Sequence, residues 1–321
     1  MRTLLRSNFT VASLAARETW LMRYPLISTC ALLLWSATAV LAQDLGKPAR
    51  MEAVLLGTGI PSPDPERAGA STAILLGEKL FIVDTGRGVT MRLAALKPRP
   101  SRIDAVFLTH LHSDHITGLP DLFATTWVMG RATPLELYGP AGVQQLAEGI
   151  RQFLAADVHI RRDLTEMLAP TGAEINSHVV QQGVVYDDGE TKVTAFAVDH
   201  EPVKPAFGYR FEARGRKIVI SGDCRPTDNL IENAKAADVL IHEVYLPEYL
   251  DRVEQKKPEV AARLKRYHST PEQAAEVASK AGAKLLVFTH LIPPNQDNTI
   301  LERASKHFSG KIVVGKDLMH F

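Results

Sequence analysis

Thr109-His110-Leu111-His112-Ser113-Asp114-His115 is the stretch that decides how this chain reads. Between His110 and His115 it places four metal-competent side chains in the order H-x-H-x-D-H. It follows Ala105-Val106-Phe107-Leu108, a short apolar run that reads as a buried strand. On a loop leaving a strand, the alternate residues His110 and His112 can face one metal while Asp114 and His115 face a neighbour. Imidazole and carboxylate ligands suit Zn²⁺, with iron and manganese as alternatives. A polar loop that is merely histidine-rich has no need of this ligand density.

Outward from that stretch the pattern recurs. Leu80-Phe81-Ile82-Val83 ends in Asp84, Val193–Val198 in Asp199-His200, and Ile218-Val219-Ile220 leads through Ser221-Gly222 into Asp223. Val239-Leu240-Ile241 ends in His242-Glu243, and Leu285–Thr289 in His290. Polar groups at the carboxyl ends of strands are where open α/β sheets place ligands, so these runs predict one convergent site. Helices fall between them. Gly142–Leu154 has apolar residues at helical spacing. Thr270–Ala281 opens with an N-cap threonine, a proline at the first helical position and an acidic first turn. Strands and helices alternate without a regular parallel βαβ rhythm, which predicts a layered α/β sandwich with helices outside two sheets.

Composition sets the limits. The 321 residues are 45% hydrophobic and 23% charged, which excludes disorder, collagen and coiled coil. From Tyr24 to Gln43 no residue is charged, Arg23 precedes the run, and Val40-Leu41-Ala42 supplies small residues before a cleavage point. Residues 1–42 therefore read as a signal peptide, with Met22 an alternative start, and 43–321 as one folded domain placed in the periplasm or secreted. An uncleaved membrane anchor is the competing reading; once cleaved, no stable membrane association is expected. Removing Arg2, Arg6, Arg17, Arg23 and Glu18 with that segment leaves 33 basic and 35 acidic residues, a net charge of −2. That balance lacks the basic excess of a phosphate-gripping surface. Cys30 lies in the apolar segment and Cys224 stands alone in the rest, so no intramolecular disulfide is expected after cleavage.

Taken in order, Leu56-Gly57-Thr58-Gly59, Asp84-Thr85-Gly86, the H-x-H-x-D-H run, Gly118-Leu119-Pro120, Tyr138-Gly139-Pro140, Ser221-Gly222-Asp223, His242-Glu243, His268-Ser269-Thr270 and Thr289-His290 resemble the metallo-β-lactamase fold superfamily, in particular its ribonuclease Z and arylsulfatase-like branch. The resemblance covers Met51 to Phe321. It implies a four-layer αββα sandwich in a single domain and a hydrolase with two zinc ions. His110, His112 and His200 would hold one ion, Asp114, His115 and His290 the other, and Asp223 would bridge them around a shared hydroxide nucleophile. Asp114, His268 and Glu243 are the implied catalytic side chains, with His268 a general acid placed by Glu243 and Asp84 fixing a ligand histidine. His159, His178, His307 and His320 read as surface or packing residues, and Tyr245–Tyr267 as an amphipathic surface segment that could cover the cleft.

The chain departs from the ribonuclease Z pattern in two places. His200 and Asp223 are 23 positions apart, and the strands between them leave no room for a long tRNA-binding arm. After Thr289-His290 stands Leu291-Ile292-Pro293-Pro294, more like the secreted arylsulfatase-like members. The expectation is therefore an exported ester hydrolase acting on a small phosphate or sulfate ester, with nucleic acid disfavoured as a partner and a homodimer left open. The alternative is a ribonuclease Z-like phosphodiesterase processing RNA, and a lesser one a β-lactamase or lactonase.

Overall fold

The computed structural model describes residues 50–96 and 102–321. The signal-peptide reading of 1–42, the alternative start at Met22 and the Lys97–Pro100 turn lie outside the described residues. Strands β1 (Glu52–Gly57), β2 (Ser71–Leu76), β3 (Lys79–Val83), β4 (Ala105–Phe107), β5 (Leu135–Gly139) and β6 (Ile175–Val179) form one sheet in chain order. Strands β7 (Gly183–Asp187), β8 (Thr191–Ala197), β9 (Phe207–Ala213), β10 (Arg216–Ile220), β11 (Val239–Tyr245), β12 (Leu285–Ile292) and β13 (Lys311–Val314) form the second, also in chain order.

Each sheet begins antiparallel and finishes parallel: β3 to β6 run parallel in the first, and β10 to β13 in the second. Hairpins need few connecting residues and parallel pairs need crossovers. That is why helices cluster in the second half of each sheet and no even βαβ rhythm appears.

Alternation along the strands builds the layers. Leu55, Phe81, Phe107, Tyr209, Phe211, Ile218, Ile241 and Val287 point inward and fill the space between the sheets, with the Phe107 and Phe211 rings edge-on at 5.6 Å. Val54, Leu56, Ile82 and Val106 point outward against α1 (Val89–Ala95), α3 (Leu119–Val128) and α4 (Val143–His159); the one-turn α2 (Ser113–Ile116) falls between α1 and α3 in the chain. Val219, Leu240, Val244 and Leu286 point outward from the second sheet against α5 (Asp228–Asn233), α8 (Pro271–Ala281) and α9 (Asp297–Ala304). Helix, sheet, sheet and helix are thus separated by three apolar interfaces, the expected four layers. The amphipathic segment after β11 folds as α6 (Pro247–Glu254) and α7 (Pro258–Tyr267); Leu250, Val253 and Leu264 pack with Ile60, Tyr245 and Ile292.

Two local devices aim the polar loops. Gly57 lies so close to the facing loop that a Cβ there would stand 1.8 Å from the Gly69 carbonyl oxygen, which accounts for glycine in the Leu56–Gly59 turn. Gly222 has φ +63° and turns the chain sharply between β10 and Asp223. The α8 start is as read, and Gln273 closes a capping box with Thr270. Helix α4 runs five residues beyond Leu154, where the Asp157–Arg161 pair at 3.0 Å supports its last turn.

Candidate metal centre

The decisive stretch does as its spacing predicts. After β4 the chain stays extended to His112 (φ −63°, ψ 147°), then closes the single turn α2, carrying Asp114 and His115 round to a second side. His200 follows β8, Asp223 follows β10, and His290 sits within β12. Strand β12 does not stop at His290, as the apolar run suggests. Glu243 pairs with Thr289 and Val244 with Leu291, so His290 is the extra residue of a bulge, at φ +46°. A bulge re-aims one side chain without ending the strand.

These residues form two ligand groups that meet at one carboxylate. Donor atoms of His110, His112, His200 and Asp223 lie within 4.8 Å of one another, as do those of Asp114, His115 and His290. His112 Nδ1 is 3.0 Å from His110 Nε2 and 3.4 Å from His200 Nε2. His290 Nε2 is 3.1 Å from Asp114 Oδ2. Asp223 Oδ2 stands between the groups, 3.9 Å from His110 Nε2, 3.5 Å from His115 Nε2 and 3.6 Å from His290 Nε2. His112 is half-buried and the other six are buried.

Neighbouring groups hold the rings in orientation. Asp84 Oδ2 is 2.8 Å from His115 Nδ1, and the same carboxylate accepts from the Thr109 amide and hydroxyl, each at 2.8 Å. That leaves His115 Nε2 aimed into the cluster, buried and without a hydrogen-bond partner. His200 Nδ1 is 3.1 Å from the Tyr267 carbonyl oxygen. An imidazole fixed through one nitrogen with the other turned to shared acidic oxygens is how metal-binding histidines are oriented.

Electrostatics divides the two groups. Burial pulls His110 well below its ordinary pKa, lowers His112 and takes His200 to about 4, so all three are neutral with a free lone pair at pH 7. Burial is the largest influence on His115 and His290 as well and opposes their charge, yet the carboxylates together, Asp223 with Asp84 for His115 and Asp223 with Asp114 for His290, outweigh it and both are raised. Despite its own burial, Asp223 is held well below the carboxylate range by His290 and His115. Two buried carboxylates among five imidazoles call for positive charge, which a cation would supply. The donor set and the orphaned His115 Nε2 fit a divalent metal.

Beside the cluster, buried His268 places Nδ1 3.2 Å from Glu243 Oε2, and its ring stacks on His290 at 5.7 Å. Glu243 Oε1 accepts from the Ser269 amide at 2.7 Å. Burial takes His268 to about 4 and, with the nearby Asp223 charge, pushes Glu243 well above its ordinary value. His268 is also within ligand range of Asp223 and His290, a second role the sequence did not suggest. His242 shares the strand of Glu243 but points the other way, buried on the helix side and outside the ligand groups. Thr109 and Tyr267, which fix Asp84 and His200, were not singled out as orienting groups, because nothing in their spacing marks such a role.

The four histidines read as surface or packing residues fall as expected. His159, His178, His307 and His320 pair with Asp163, Glu136, Glu276 and Glu52 away from the cluster. Cys224 is a buried free thiol in the core beneath α8. Arg87 donates to the Pro61 carbonyl oxygen and Arg225 pairs with Asp199.

An αββα sandwich with His/Asp clusters able to bind metal ions where its strands end defines a metal-dependent hydrolase acting on ester bonds. The chain belongs to the metallo-β-lactamase superfamily: the β-lactamase superfamily domain model matches residues 80–291. It is 38% identical over 278 residues to a ribonuclease Z of Mycobacterium bovis BCG, covering 84% of this chain and 96% of that one. A ribonuclease Z of Mycolicibacterium gilvum is 36% identical over 275 residues, covering 84% and 94%. Among solved structures, the short form of human tRNase Z superposes with TM-score 0.64 at 26% identity, covering 84% and 98%. YhfI of Bacillus subtilis superposes with TM-score 0.66 at 23% identity, covering 85% and 99%, a likeness of fold alone.

These relatives overturn one expectation. A small-molecule ester as the substrate, with nucleic acid disfavoured, conflicts with ribonuclease Z relatives that match over nearly their whole length. Net charge is a sum over the entire surface, whereas phosphate contacts need only a few basic groups near the site. A value of −2 therefore excluded less than it was taken to. The short spacing from His200 to Asp223 speaks to one arm, not to every way of holding RNA.

Proposed function

We propose that this protein is a ribonuclease Z-like phosphodiesterase that cleaves RNA, with zinc as its metal and two ions per chain. The observation that carries the proposal is the 38% identity over 278 residues to a protein named ribonuclease Z. In this reading His110, His112 and His200 hold one ion, Asp114, His115 and His290 the other, and Asp223 both. Such ions supply Lewis acidity toward phosphoryl oxygens and a nucleophilic water at neutral pH. The chain's own residues do the rest. Asp84 keeps the His115 ring turned inward, the Tyr267 carbonyl does the same for His200, and the buried cluster sheds water around the reacting phosphate. His268, oriented by Glu243, gives a proton to the leaving oxygen, the negative charge of the bound phosphate offsetting the burial that takes the free imidazole to about 4.

The export signal before Gln43 remains part of the reading and would bring the enzyme to RNA outside the cytoplasm. The test is cleavage of labelled transfer-RNA precursor transcripts by the zinc-loaded protein, in parallel with a small aryl sulfate and an aryl phosphodiester. Site-specific RNA cleavage abolished by chelation is expected. Turnover of the aryl sulfate without RNA cleavage would refute the proposal.

A further inference from the structure

Beside the metal cluster lies an open pocket of about 240 Å³ lined by Glu201, Pro202, Arg263, Arg266 and Tyr267. It adjoins the site through two residues. Glu201 follows His200 directly. The Tyr267 ring packs edge-on against His200 at 4.9 Å and, tilted, against His268 at 4.8 Å. The pocket is thus on the side of the cleft that holds the general acid.

Its lining has the chemistry of a nucleotide. Arg263 and Arg266 are three residues apart near the end of α7, so they share a face. Arg266 has no ion pair among the described residues, and the pairing of Arg263 with Glu259 is a 3.7 Å surface contact. The one carboxylate lining the pocket, Glu201, is engaged by Lys204. The half-buried Tyr267 is held by its ring contacts and its backbone bond to His200. Guanidinium groups recognise phosphate, and a fixed aromatic ring offers a face on which any base can stack. The volume falls below the roughly 300–1,000 Å³ of sites that enclose a drug-sized ligand, which suits one nucleotide of a longer chain.

We propose that this pocket is a subsite for single-stranded RNA, holding the nucleotide that flanks the scissile phosphate on the His268 side. Arg263 and Arg266 take its phosphate and Tyr267 takes its base. The proposal rests on the RNA reading above. The bland role for Arg266, offsetting the negative end of α7, would show as stability and not as RNA selectivity.

The experiment compares kcat/KM of the zinc-loaded protein on single-stranded RNA and on bis(p-nitrophenyl) phosphate, which has no flanking nucleotide. Arg263→Gln and Arg266→Gln should each lower RNA turnover roughly 1.5- to fivefold more than diester turnover. Each should also reduce the slope of log kcat/KM against log salt by about 0.7. Tyr267→Leu should lower RNA turnover roughly 5- to 150-fold relative to the diester, and Tyr267→Phe, which keeps the stacking face, should restore it. Equal losses on both substrates with an unchanged salt slope would overturn the subsite while leaving the RNA reading intact. A wild-type protein that hydrolyses the diester and leaves RNA untouched would overturn that reading, and the subsite with it.

Discussion

Replacing His268 by alanine removes a group with three candidate jobs, and the structure makes their signatures different. As a general acid, the imidazole helps a leaving oxygen in proportion to its basicity. Such help is typically worth about 10²–10⁴-fold, or roughly 2.7–5.5 kcal/mol of barrier. An RNA 3′- or 5′-alkoxide needs that proton, whereas nitrophenolate departs without it. As a structural residue, buried His268 stands 3.2 Å from Glu243 Oε2 and packs its ring against His290 and Tyr267. Losing that buried ring costs about 1–3 kcal/mol, and at roughly 2–4 °C per kcal/mol the melting temperature falls by about 2–12 °C. As a ligand grouped with Asp223 and His290, its loss would lower metal content. The assay is therefore a ribonucleotide diester against the p-nitrophenyl ester of the same nucleotide, with metal content and melting temperature measured on the same preparations. His268→Ala should keep its metal, lose about 10²–10⁴-fold on the RNA diester, and lose much less on the nitrophenyl ester. Glu243→Gln should repeat the pattern more weakly, since it only orients the ring. Equal losses on both esters with reduced melting temperature would refute the general acid, and loss of metal would assign His268 to the ligands.

Three further outcomes are expected. The protein should bind two divalent ions per chain by elemental analysis, and His112→Ala should lower both occupancy and activity, because the two groups share Asp223; one metal with full activity would contradict this. Asp84→Asn keeps the side chain's size but withdraws the carboxylate that stands 2.8 Å from His115 Nδ1, so zinc affinity measured by chelator competition should fall about 10–100-fold with the fold intact. Protein from the native host should begin at or near Gln43, and recovery of an intact apolar segment in the membrane fraction would instead favour the anchor.

Sequence alone determined most of the elements and singled out the residues that the fold gathers into the candidate metal clusters. Apolar runs and helical spacing are local properties, and the backbone satisfies its hydrogen bonds locally in α8 as its cap residues dictate. The H-x-H-x-D-H stretch is legible for the same reason: an extended segment followed by one turn aims its own side chains two ways. What only the tertiary structure decided is convergence. That Glu243 faces the cleft and His242 the helices depends on which face of β11 meets the other sheet. That His290 reaches Asp114 depends on a bulge set by pairing with β11, and the Tyr267 pocket exists only because α7 ends beside the His200 loop. These contacts join positions up to 176 residues apart, and sheet register, not local sequence, fixes them. The sum of charges is a poor guide to partners for a related reason: recognition depends on where a few charges stand, and their placement is a tertiary fact.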